Sequence, residues 1–567
     1  MAVIISRMWP THTSESEPVD KRLGDLSALL KRPIEDWRSA GYWGQAPLWQ
    51  RVRARALSEP DRLAVADDTG KLDVSALWTG AVKLARAMRR SGVERGDLVL
   101  VQLPNWREFA ALVIAIEACG AVLGFCPAAW GVRETARALK LIQPKVWFLC
   151  AGRNGDDRAE FAHSCLSEIT SKPEVVGVRF SADQIADLEA WSAPSDGDES
   201  FDPDETGLRG TDPLEVAVTS GTTGDPKGVL HVCDSATAAV QSTIERQAIH
   251  DGDSILVPIP VGHTFGYFYG VRCALQSGAL LVLQERWNAA RMVELVEKWR
   301  ISVSLGPSAC LVDLLALPEA DIKRLASMRL FTQSGDSLPV PVAKRAADLL
   351  NARISRALGM TEFGHVASTD AGSPEERVLD SAGSPQPGIS IEIRGEDGNR
   401  LPAGEIGKVM VSGPFLFAGY LHPDRLDQDV LDEGGYFATG DLGWLGEDGY
   451  LHITGREKNV IRRGAMTIPT SAVEDALASH PGVAQVVLIA RPDERLGEQP
   501  VACIQMRDGA APLDLATMQS FLADIGMTKS FWPEEIHIVA KWPLGATAKV
   551  DRAALLRAVL QKGHTER

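Results

Sequence analysis

The sequence predicts an α/β fold, with a large N-terminal region of layered α/β subdomains, a β-rich subdomain and a small C-terminal α+β domain. Helix-period runs and buried-strand runs alternate between Ala56 and Pro144, which is typical of α/β layers. From about residue 385 short strand-like segments with glycine turns take over. Residues 459–567 then hold enough helix and strand patterns for an independent small domain.

Continuous apolar runs bounded by turn residues predict the strands of this fold. In the N-terminal region we expect strands over residues 98–103, 146–149, 216–218, 254–257, 279–283, 301–305, 390–393, 407–411 and 449–453. In the C-terminal region we expect helices over 471–479, 512–525 and 552–561, and strands over 483–490, 501–506 and 535–539. Residues 192–213 are acidic and rich in turn formers, so we expect an exposed loop there.

One apolar stretch, Phe109–Trp130, has the length of a membrane span. Glu117 lies inside it, at a cost of about 2.5–3.5 kcal/mol at a bilayer centre, and Gly120, Gly124 and Pro127 interrupt it. We therefore predict a buried helix followed by a buried strand, and no transmembrane segment.

Charge and cysteine content limit the function classes. The 567 residues carry a net charge of −16, which argues against nucleic acid as a partner. The eight cysteines form no CxxC pair and no zinc spacing, so we expect reduced, buried thiols in a cytoplasmic protein. Residues 1–35 are polar and are expected to form a loosely held arm.

The most informative segment is VAVTSGTTGDPKGVLH at 216–231. A predicted strand runs into hydroxyl- and glycine-rich residues whose N–H and O–H groups suit a polyphosphate, and Lys227 adds a positive charge. The spacing is not that of a Walker A loop, because Pro226 stands where that pattern needs glycine. The residues predicted to bind phosphate are Thr219, Ser220, Gly221, Thr222, Thr223, Gly224 and Lys227.

This segment resembles the phosphate loop of the adenylate-forming superfamily, which comprises acyl-CoA synthetases, luciferases and peptide-synthetase adenylation domains. The resemblance runs from about residue 45 to the end, with further motifs in the expected order. The residues within these motifs are most similar to those of cyclohexanecarboxylate and medium-chain acyl-CoA ligases. The resemblance implies that residues 36–458 form the large adenylating domain and 459–567 a small mobile domain.

The segment PVGHTFGY at 260–267 resembles the motif beside the carboxylate substrate. It implies a catalytic role for His263. The acid pocket that the resemblance implies comprises His263, Phe265, Tyr267, Gly335 and Met360.

Three further motifs resemble the nucleotide site of the superfamily. In LGMTE at 358–362, Thr361 is expected to bind the α-phosphate and Glu362 to hold Mg²⁺, which offsets charge on the pyrophosphate leaving group. The adenine-flanking residues implied by resemblance are Gly335, Asp336, Ser337, Leu358, Gly359 and Met360. Asp441 is expected to accept hydrogen bonds from both ribose hydroxyls, and Arg456 is expected to contact the ribose or a phosphate.

The C-terminal motifs resemble the parts of the superfamily that move between two half-reactions. Asn459 is the expected hinge, and Lys549 is the expected lysine of adenylation, bridging the substrate carboxylate and the α-phosphate. Arg463, Gly464 and Ala465 are expected at the coenzyme A site.

Several positions depart from the pattern of the superfamily. Leu358 replaces an aromatic residue, Asn459 stands where Asp or Lys is usual, and Ala548 replaces a glycine. Ala465 replaces the second of two glycines beside the pantetheine tunnel. Either the neighbouring backbone shifts so that coenzyme A fits beside the Ala465 methyl group, or this methyl group narrows the tunnel and weakens thioester formation.

The motifs together imply an ATP-dependent acid–CoA ligase. A medium-chain, branched or carbocyclic acid would form an acyl-adenylate with release of pyrophosphate, and coenzyme A would then displace AMP. ATP, Mg²⁺ and coenzyme A are the implied cofactors and substrates. Two alternatives stay open: an adenylating enzyme that loads a carrier protein, and a non-catalytic relative that binds nucleotide or acid.

Overall fold

The computed structural model describes most of the chain. The described residues are 23, 26, 28–152, 157–167, 169–182, 184–194, 201–219, 226–335, 338, 340–350, 352–457, 460–463, 466–493, 497–527, 529–543 and 550–563.

The strands alternate with helices along the first two-thirds of the chain. The first sixteen are β1 (Leu63–Ala66), β2 (Lys71–Asp73), β3 (Leu98–Gln102), β4 (Val122–Phe125), β5 (Val146–Cys150), β6 (Glu174–Val178), β7 (Ala186–Asp187), β8 (Pro213–Thr219), β9 (Lys227–Val232), β10 (Ser254–Val257), β11 (Leu280–Leu283), β12 (Val303–Gly306), β13 (Leu330–Gln333), β14 (Arg353–Met360), β15 (Gly364–Ser368) and β16 (Ser384–Pro385). The later strands are β17 (Ser390–Arg394), β18 (Gly407–Ser412), β19 (Gly419–Leu421), β20 (Leu426–Asp427), β21 (Phe437–Leu445), β22 (Leu451–Arg456), β23 (Val460–Arg463), β24 (Met466–Pro469), β25 (Val483–Asp493), β26 (Gly497–Met506) and β27 (Glu535–Ile538).

Helices cover both large sheets, and helices also lie on both faces of the C-terminal sheet. The longer α-helices are Leu48–Ser58, Val74–Arg90, Arg107–Cys119, Val132–Ile142, Arg158–Leu166, Cys233–Arg246, Ala289–Trp299, Ser308–Leu315, Val340–Leu350, Thr470–Ala478, Leu515–Asp524 and Arg552–Gly563. Short helices are Ile34–Ser39, Leu188–Trp191, Pro203–Thr206, Thr264–Gly266, Cys273–Ser277, Glu319–Lys323 and Glu375–Asp380, with 3-10 turns at Leu29–Lys31 and Lys529–Phe531 and a π-helix at Tyr267–Arg272.

Two large sheets of nine strands each form the N-terminal region. Their orders are β16-β15-β14-β13-β12-β10-β11-β1-β2 and β20-β19-β9-β8-β4-β3-β5-β6-β7. The centre of each sheet is parallel, and both edges of the first sheet and one edge of the second are antiparallel. The α/β class predicted from the sequence is confirmed.

Two smaller sheets follow along the chain. The order β17-β18-β21-β22 forms an antiparallel sheet, which is the predicted β-rich part. The strands β24-β23-β26-β25, with β27 on β26, form the sheet of the small C-terminal domain. A separate apolar cluster that includes Ile461, Leu477, Val483 and Met518 fills this last domain.

The stretch from Phe109 to Trp130 folds as predicted. The helix Arg107–Cys119 is buried around almost its whole circumference, and the buried strand β4 follows it. No helix in the described part of the chain has the length and apolar character needed to cross a membrane. All eight cysteines are buried free thiols, as predicted, and burial raises the pKa of Cys119 to about 11.

Two segments predicted as loose are partly ordered. The predicted loop 192–213 contains the short helix Pro203–Thr206, and β8 begins at its end. Asp202 caps this helix by accepting a hydrogen bond from the N–H of Asp204, and Leu208 is buried. The polar composition of the segment therefore concealed a short helix and a buried residue. The described end of the predicted arm buries Leu29 in the main core.

A buried cluster of charged and polar side chains lies within the apolar core of the N-terminal region. Arg272 and Glu117 form an ion pair, and the Arg272 guanidinium donates to the Tyr267 hydroxyl at 3.1 Å. Glu215, on β8, is fully buried beside them. Burial raises the pKa of Glu215 to about 8, although the positive charge of Arg272 opposes the shift.

The raised pKa of Glu215 predicts a contribution to stability that falls with pH. The folded protein retains a proton that the unfolded chain releases above its usual value of 4.5, so between about pH 4.5 and 8 Glu215 binds more protons in the folded state. Glu215 by itself should therefore lower the free energy of unfolding by up to about 1.4 kcal/mol per pH unit across that window. Denaturant titrations from pH 6.5 to 8 test this contribution, because the buried His231 and His365, whose pKa values are lowered, act in the opposite direction only below that range.

Glu215→Gln should lack this contribution, because the amide does not titrate. Glu189→Gln, at an exposed position, should keep it. Equal slopes in wild type and Glu215→Gln would contradict the assignment.

Candidate active site

The predicted phosphate-binding segment lies between two antiparallel strands of the second large sheet. Thr219 ends β8 and pairs with Lys227, which begins β9. The Thr219 hydroxyl donates to the Lys227 carbonyl at 3.3 Å. The residues between them that were predicted to bind phosphate, Ser220–Gly224, lie outside the described residues. The strand pair thus fixes both ends of that segment.

Thr361 and Glu362 follow β14 directly and are held through their backbone. The ring Nε2 of the buried His231 donates to the Thr361 carbonyl at 2.7 Å. The N–H of Phe417 donates to the Glu362 carbonyl at 2.8 Å. Burial lowers the pKa of His231 to about 4, so the imidazole is neutral at pH 7.

Tyr420 connects Glu362 to Lys227. Its hydroxyl donates to Glu362 Oε1 at 2.8 Å, and the Lys227 ammonium lies 4.7 Å from the centre of its ring. The strand β19 that carries Tyr420 pairs with β9, with Tyr420 opposite Val229. The sheet register therefore brings the predicted metal ligand and the predicted phosphate lysine to one aromatic side chain.

Asp441 and Arg456 are cross-strand neighbours on β21 and β22. The Arg456 Nε donates to Asp441 Oδ1 at 2.8 Å, and Asp441 is 3% exposed. The other oxygen, Oδ2, is buried and has no hydrogen-bond partner among the described residues. This orphaned acceptor fits the ribose hydroxyl donors expected from the sequence.

The Glu362 carboxylate contributes to the electrostatics of Asp441. Burial raises the pKa of Asp441, the Arg456 guanidinium opposes that shift, and the Glu362 carboxylate adds to it. No group of three or more His, Cys, Asp or Glu residues in the described part of the chain could form a metal cage. A single carboxylate beside a bound polyphosphate is a usual Mg²⁺ environment, so Glu362 fits the predicted ion.

The segment after β10 carries residues that were predicted to line the acid pocket. His263 is exposed and precedes the short helix Thr264–Gly266. The Thr264 hydroxyl donates to Thr361 Oγ1 at 3.4 Å, which joins this segment to the residues predicted to bind nucleotide. Cβ atoms at Gly262 or Gly266 would meet backbone atoms at 2.6 and 2.4 Å, so the segment packs too closely for larger residues.

Aromatic side chains lie behind this segment. The rings of Tyr269 and His365 stack at 3.5 Å, and Phe265 contacts His365 at 5.7 Å between centroids. Burial lowers the pKa of His365 to about 3, so it contributes a neutral ring. Phe265 and Met360 are partly buried against the main core.

Tyr267 does not line an open pocket together with Phe265. Its side chain is fully buried between Phe109 and Phe125, and its hydroxyl accepts from Arg272. The expectation that Tyr267 contacts the acid therefore does not fit its position in the structure. The π-helix that begins at Tyr267 turns this side chain into the core, which local sequence did not indicate.

The remaining predicted nucleotide residues lie near the end of β14. Leu358 is on β14 opposite Ala367 and packs against the main core. Gly359 pairs with His365 on the neighbouring strand. Gly335 is exposed and has a φ of +93°, a conformation that favours glycine.

The C-terminal predictions are described only in part. The Arg463 guanidinium forms an ion pair with Glu534 and donates to the Glu498 carbonyl at 3.1 Å. Arg463 therefore already has partners within the small domain. The other residues in question, Asp336, Ser337, Asn459, Gly464, Ala465, Ala548 and Lys549, lie outside the described residues.

Two residues of this site were missed by the sequence analysis. His231 was inside the quoted segment 216–231, but a single histidine in an apolar run gives no signal for a bond to Thr361. Tyr420 contacts Glu362 across 58 residues and Lys227 across an even longer separation. Only the strand register reveals the second contact.

Sequence comparison gives a family match over most of the chain. The AMP-binding enzyme family matches residues 52–421, and the AMP-binding enzyme C-terminal domain matches residues 472–549.

Individual relatives are similar over nearly their full length. The medium-chain fatty-acid–CoA ligase of Escherichia coli (strain K12) is 29% identical over 530 residues, covering 93% of this chain and 93% of the ligase. The salicyl-AMP ligase / salicyl-S-ArCP synthetase of Mycobacterium tuberculosis (strain ATCC 25618 / H37Rv) is 27% identical over 549 residues, covering 94% and 95%. The structure of the amide bond synthetase McbA from Marinactinospora thermotolerans matches with a TM-score of 0.79 and 25% identity, covering 90% of this chain and 100% of that chain.

Proposed function

Since the chain belongs to the AMP-binding enzyme family and is an enzyme of the adenylate-forming superfamily, we propose that it is an acid–CoA ligase. It converts a medium-chain, branched or carbocyclic acid into its acyl-adenylate and then into the coenzyme A thioester. The similarity to a medium-chain fatty-acid–CoA ligase supports this choice of acid. We also propose that residues 36–458 form the adenylating domain and that 459–567 rotate about Asn459 between the two steps.

The observation that carries the proposal is the meeting of Lys227 and Glu362 at one side chain, Tyr420. Asp441 adds a buried carboxylate whose Oδ2 has no hydrogen-bond partner among the described residues. These groups come from three separate strands or strand ends, yet they provide a cation, a metal-directed carboxylate and a ribose-directed carboxylate. That combination suits a magnesium-bound nucleoside triphosphate.

The chemistry follows from these groups. A substrate carboxylate oxygen attacks the α-phosphorus of ATP, and the bond to pyrophosphate breaks. Lys227 and Thr361 hold phosphate oxygens, and Asp441 fixes the ribose. Glu362 would hold Mg²⁺, and the ion would supply positive charge against the pyrophosphate leaving group. The thiol sulfur then attacks the acyl carbon, and AMP leaves.

No covalent intermediate with the enzyme is needed in this scheme. The eight cysteines are buried, and burial holds the pKa of Cys126, Cys233 and Cys273 above the usual range of thiols. Positioning and electrostatic stabilisation are therefore the contributions expected of the protein.

A carrier-protein thiol is the second candidate acceptor. The relative whose name includes salicyl-S-ArCP synthetase supports it, as does the unusual residue Ala465 in the predicted pantetheine segment. A third possibility, a non-catalytic relative, is disfavoured because Lys227, Glu362, Asp441 and Lys549 are all present.

One incubation separates these possibilities. The purified protein is mixed with MgATP and a pool of linear, branched, cyclic and aryl acids, with and without coenzyme A, and mass spectrometry detects AMP, acyl-adenylate and acyl-CoA. Acyl-CoA supports the ligase proposal and identifies the acid. Acyl-adenylate without thioester favours the carrier-loading function, and absence of both products contradicts the proposal.

Ala465→Gly tests the departure at the predicted pantetheine tunnel. If the methyl group narrows the tunnel, the variant should form thioester several-fold faster with an unchanged rate of adenylation. The two half-reactions are measured separately, by acid-dependent pyrophosphate–ATP exchange and by thioester formation from supplied acyl-adenylate. Equal thioester rates in wild type and variant would show that coenzyme A fits past the methyl group.

A further inference from the structure

The contacts of Tyr420 extend beyond those of an ordinary core aromatic residue. Tyr420 lies on β19, is partly buried, and uses both its hydroxyl and its ring face. The hydroxyl donates to one carboxylate oxygen of Glu362, and the ring face receives the Lys227 ammonium. A tyrosine that contacts an anion and a cation in this way holds the two groups at a fixed separation.

The segment around Tyr420 also holds the backbone of Glu362. Phe417 donates its N–H to the Glu362 carbonyl at 2.8 Å, and the Phe417 and Tyr420 rings contact at 4.8 Å between centroids. Phe417 is fully buried. Glu362 is therefore fixed both at its main chain and at its side chain by residues 417–420.

The contact with Tyr420 uses only one oxygen of the Glu362 carboxylate. The Tyr420 hydroxyl donates to Oε1 at 2.8 Å. Oε2 of Glu362 has no hydrogen-bond partner among the described residues, so the carboxylate retains an oxygen for a cation.

We propose that Tyr420 is a positioning residue for the magnesium–triphosphate unit: its hydroxyl orients Glu362 toward the metal, and its ring orients Lys227 toward the phosphates. This inference rests on the proposed function, because it takes MgATP as the ligand. The hydroxyl acts only through Glu362, so its contribution depends on the metal. The ring acts through Lys227, so the contribution of the ring to ATP binding does not depend on the metal.

Two substitutions separate these contributions. Tyr420→Phe removes the hydroxyl and keeps the ring, and Tyr420→Leu removes both. Tyr436→Phe is the matched control, because the Tyr436 hydroxyl also has a single partner, Ser390 at 2.8 Å, and its ring carries Arg394 at 4.8 Å. The control thus deletes an equivalent hydroxyl that has no contact with Glu362.

Binding is measured by calorimetry with ATP in excess Mg²⁺ and with ATP in EDTA. Tyr420→Phe should weaken MgATP binding by about 10-fold, since it removes a hydrogen bond to a charged group, and leave metal-free ATP binding unchanged. Tyr420→Leu should weaken metal-free binding as well, by roughly 2–5-fold, since it removes a cation–π contact. Tyr436→Phe should match wild type in both conditions.

The outcomes also separate this inference from the proposed function. The positioning role is refuted if wild type binds MgATP and the ratio of affinities with and without Mg²⁺ is the same in Tyr420→Phe as in wild type. An equal loss of affinity in both conditions is one such result, and it indicates structural damage only. Wild type that binds neither form of ATP refutes the proposed function itself.

Discussion

Lys549→Ala should reduce acyl-adenylate formation by about 10²–10³-fold, the scale of losing one group that stabilises transition-state charge. The resemblance of the segment ending at Lys549 implies that its ammonium bridges the substrate carboxylate and the α-phosphate. Charge builds on those oxygens only during adenylation. The variant should therefore convert supplied acyl-adenylate and coenzyme A to thioester at a rate close to wild type.

The comparison of half-reactions makes this prediction specific. Pyrophosphate–ATP exchange measures the first step, and thioester formation from synthetic acyl-adenylate measures the second. Lys541→Ala, at an exposed lysine nearby in sequence, serves as the matched control and should leave both rates unchanged. Equal losses in both steps for Lys549→Ala would contradict a role confined to adenylation.

Arg272→Met should destabilise the fold by about 3–5 kcal/mol, because it leaves the buried Glu117 carboxylate without its cation. Arg272 is fully buried, its partner Glu117 is 2% exposed, and Glu215 lies beside them. Burial by itself lowers the pKa of Arg272, but Glu117, Tyr267 and Glu215 together outweigh that effect and hold the pKa above its usual range. Denaturant titration at pH 7 measures the loss.

A double variant tests the physical reason. Arg272→Met with Glu117→Leu replaces the pair by apolar side chains, which is often neutral or stabilising, so much of the stability should return. Arg291→Met, which breaks surface ion pairs to Asp68 and Glu294, should cost no more than about 1 kcal/mol. A double variant as unstable as Arg272→Met would contradict the explanation.

The strands at the centre of the two large sheets could be predicted because they are buried on both faces. Such strands contain unbroken apolar runs, and the runs at 98–103, 146–149 and 254–257 correspond to β3, β5 and β10. The charged segment 455–470 gave no such signal, and it contains the antiparallel pair β23 and β24. Each strand is only four residues long, and the runs VIRR and MTIP are neither continuously apolar nor a long alternation of apolar and polar residues.

The adenylate-forming class could also be predicted from the sequence, because the groups proposed for its chemistry occur in short motifs. Thr219 and Lys227 are eight residues apart, and Thr361 and Glu362 are adjacent. Tyr267 shows the limit of this reasoning, because it belongs to a recognisable motif but its side chain lies in the buried charged cluster with Arg272.

By itself, the amino-acid sequence determined the α/β class, the central strands and the superfamily, because apolar periodicity and contiguous motifs are local properties of the chain. Only the tertiary structure decided which distant groups meet: Tyr420 with Glu362 and Lys227, and Arg272 with Glu117 across 155 residues. These contacts depend on sheet register and on how helices pack. A one-residue change of register turns a strand side chain to the opposite face, and no single segment encodes that choice.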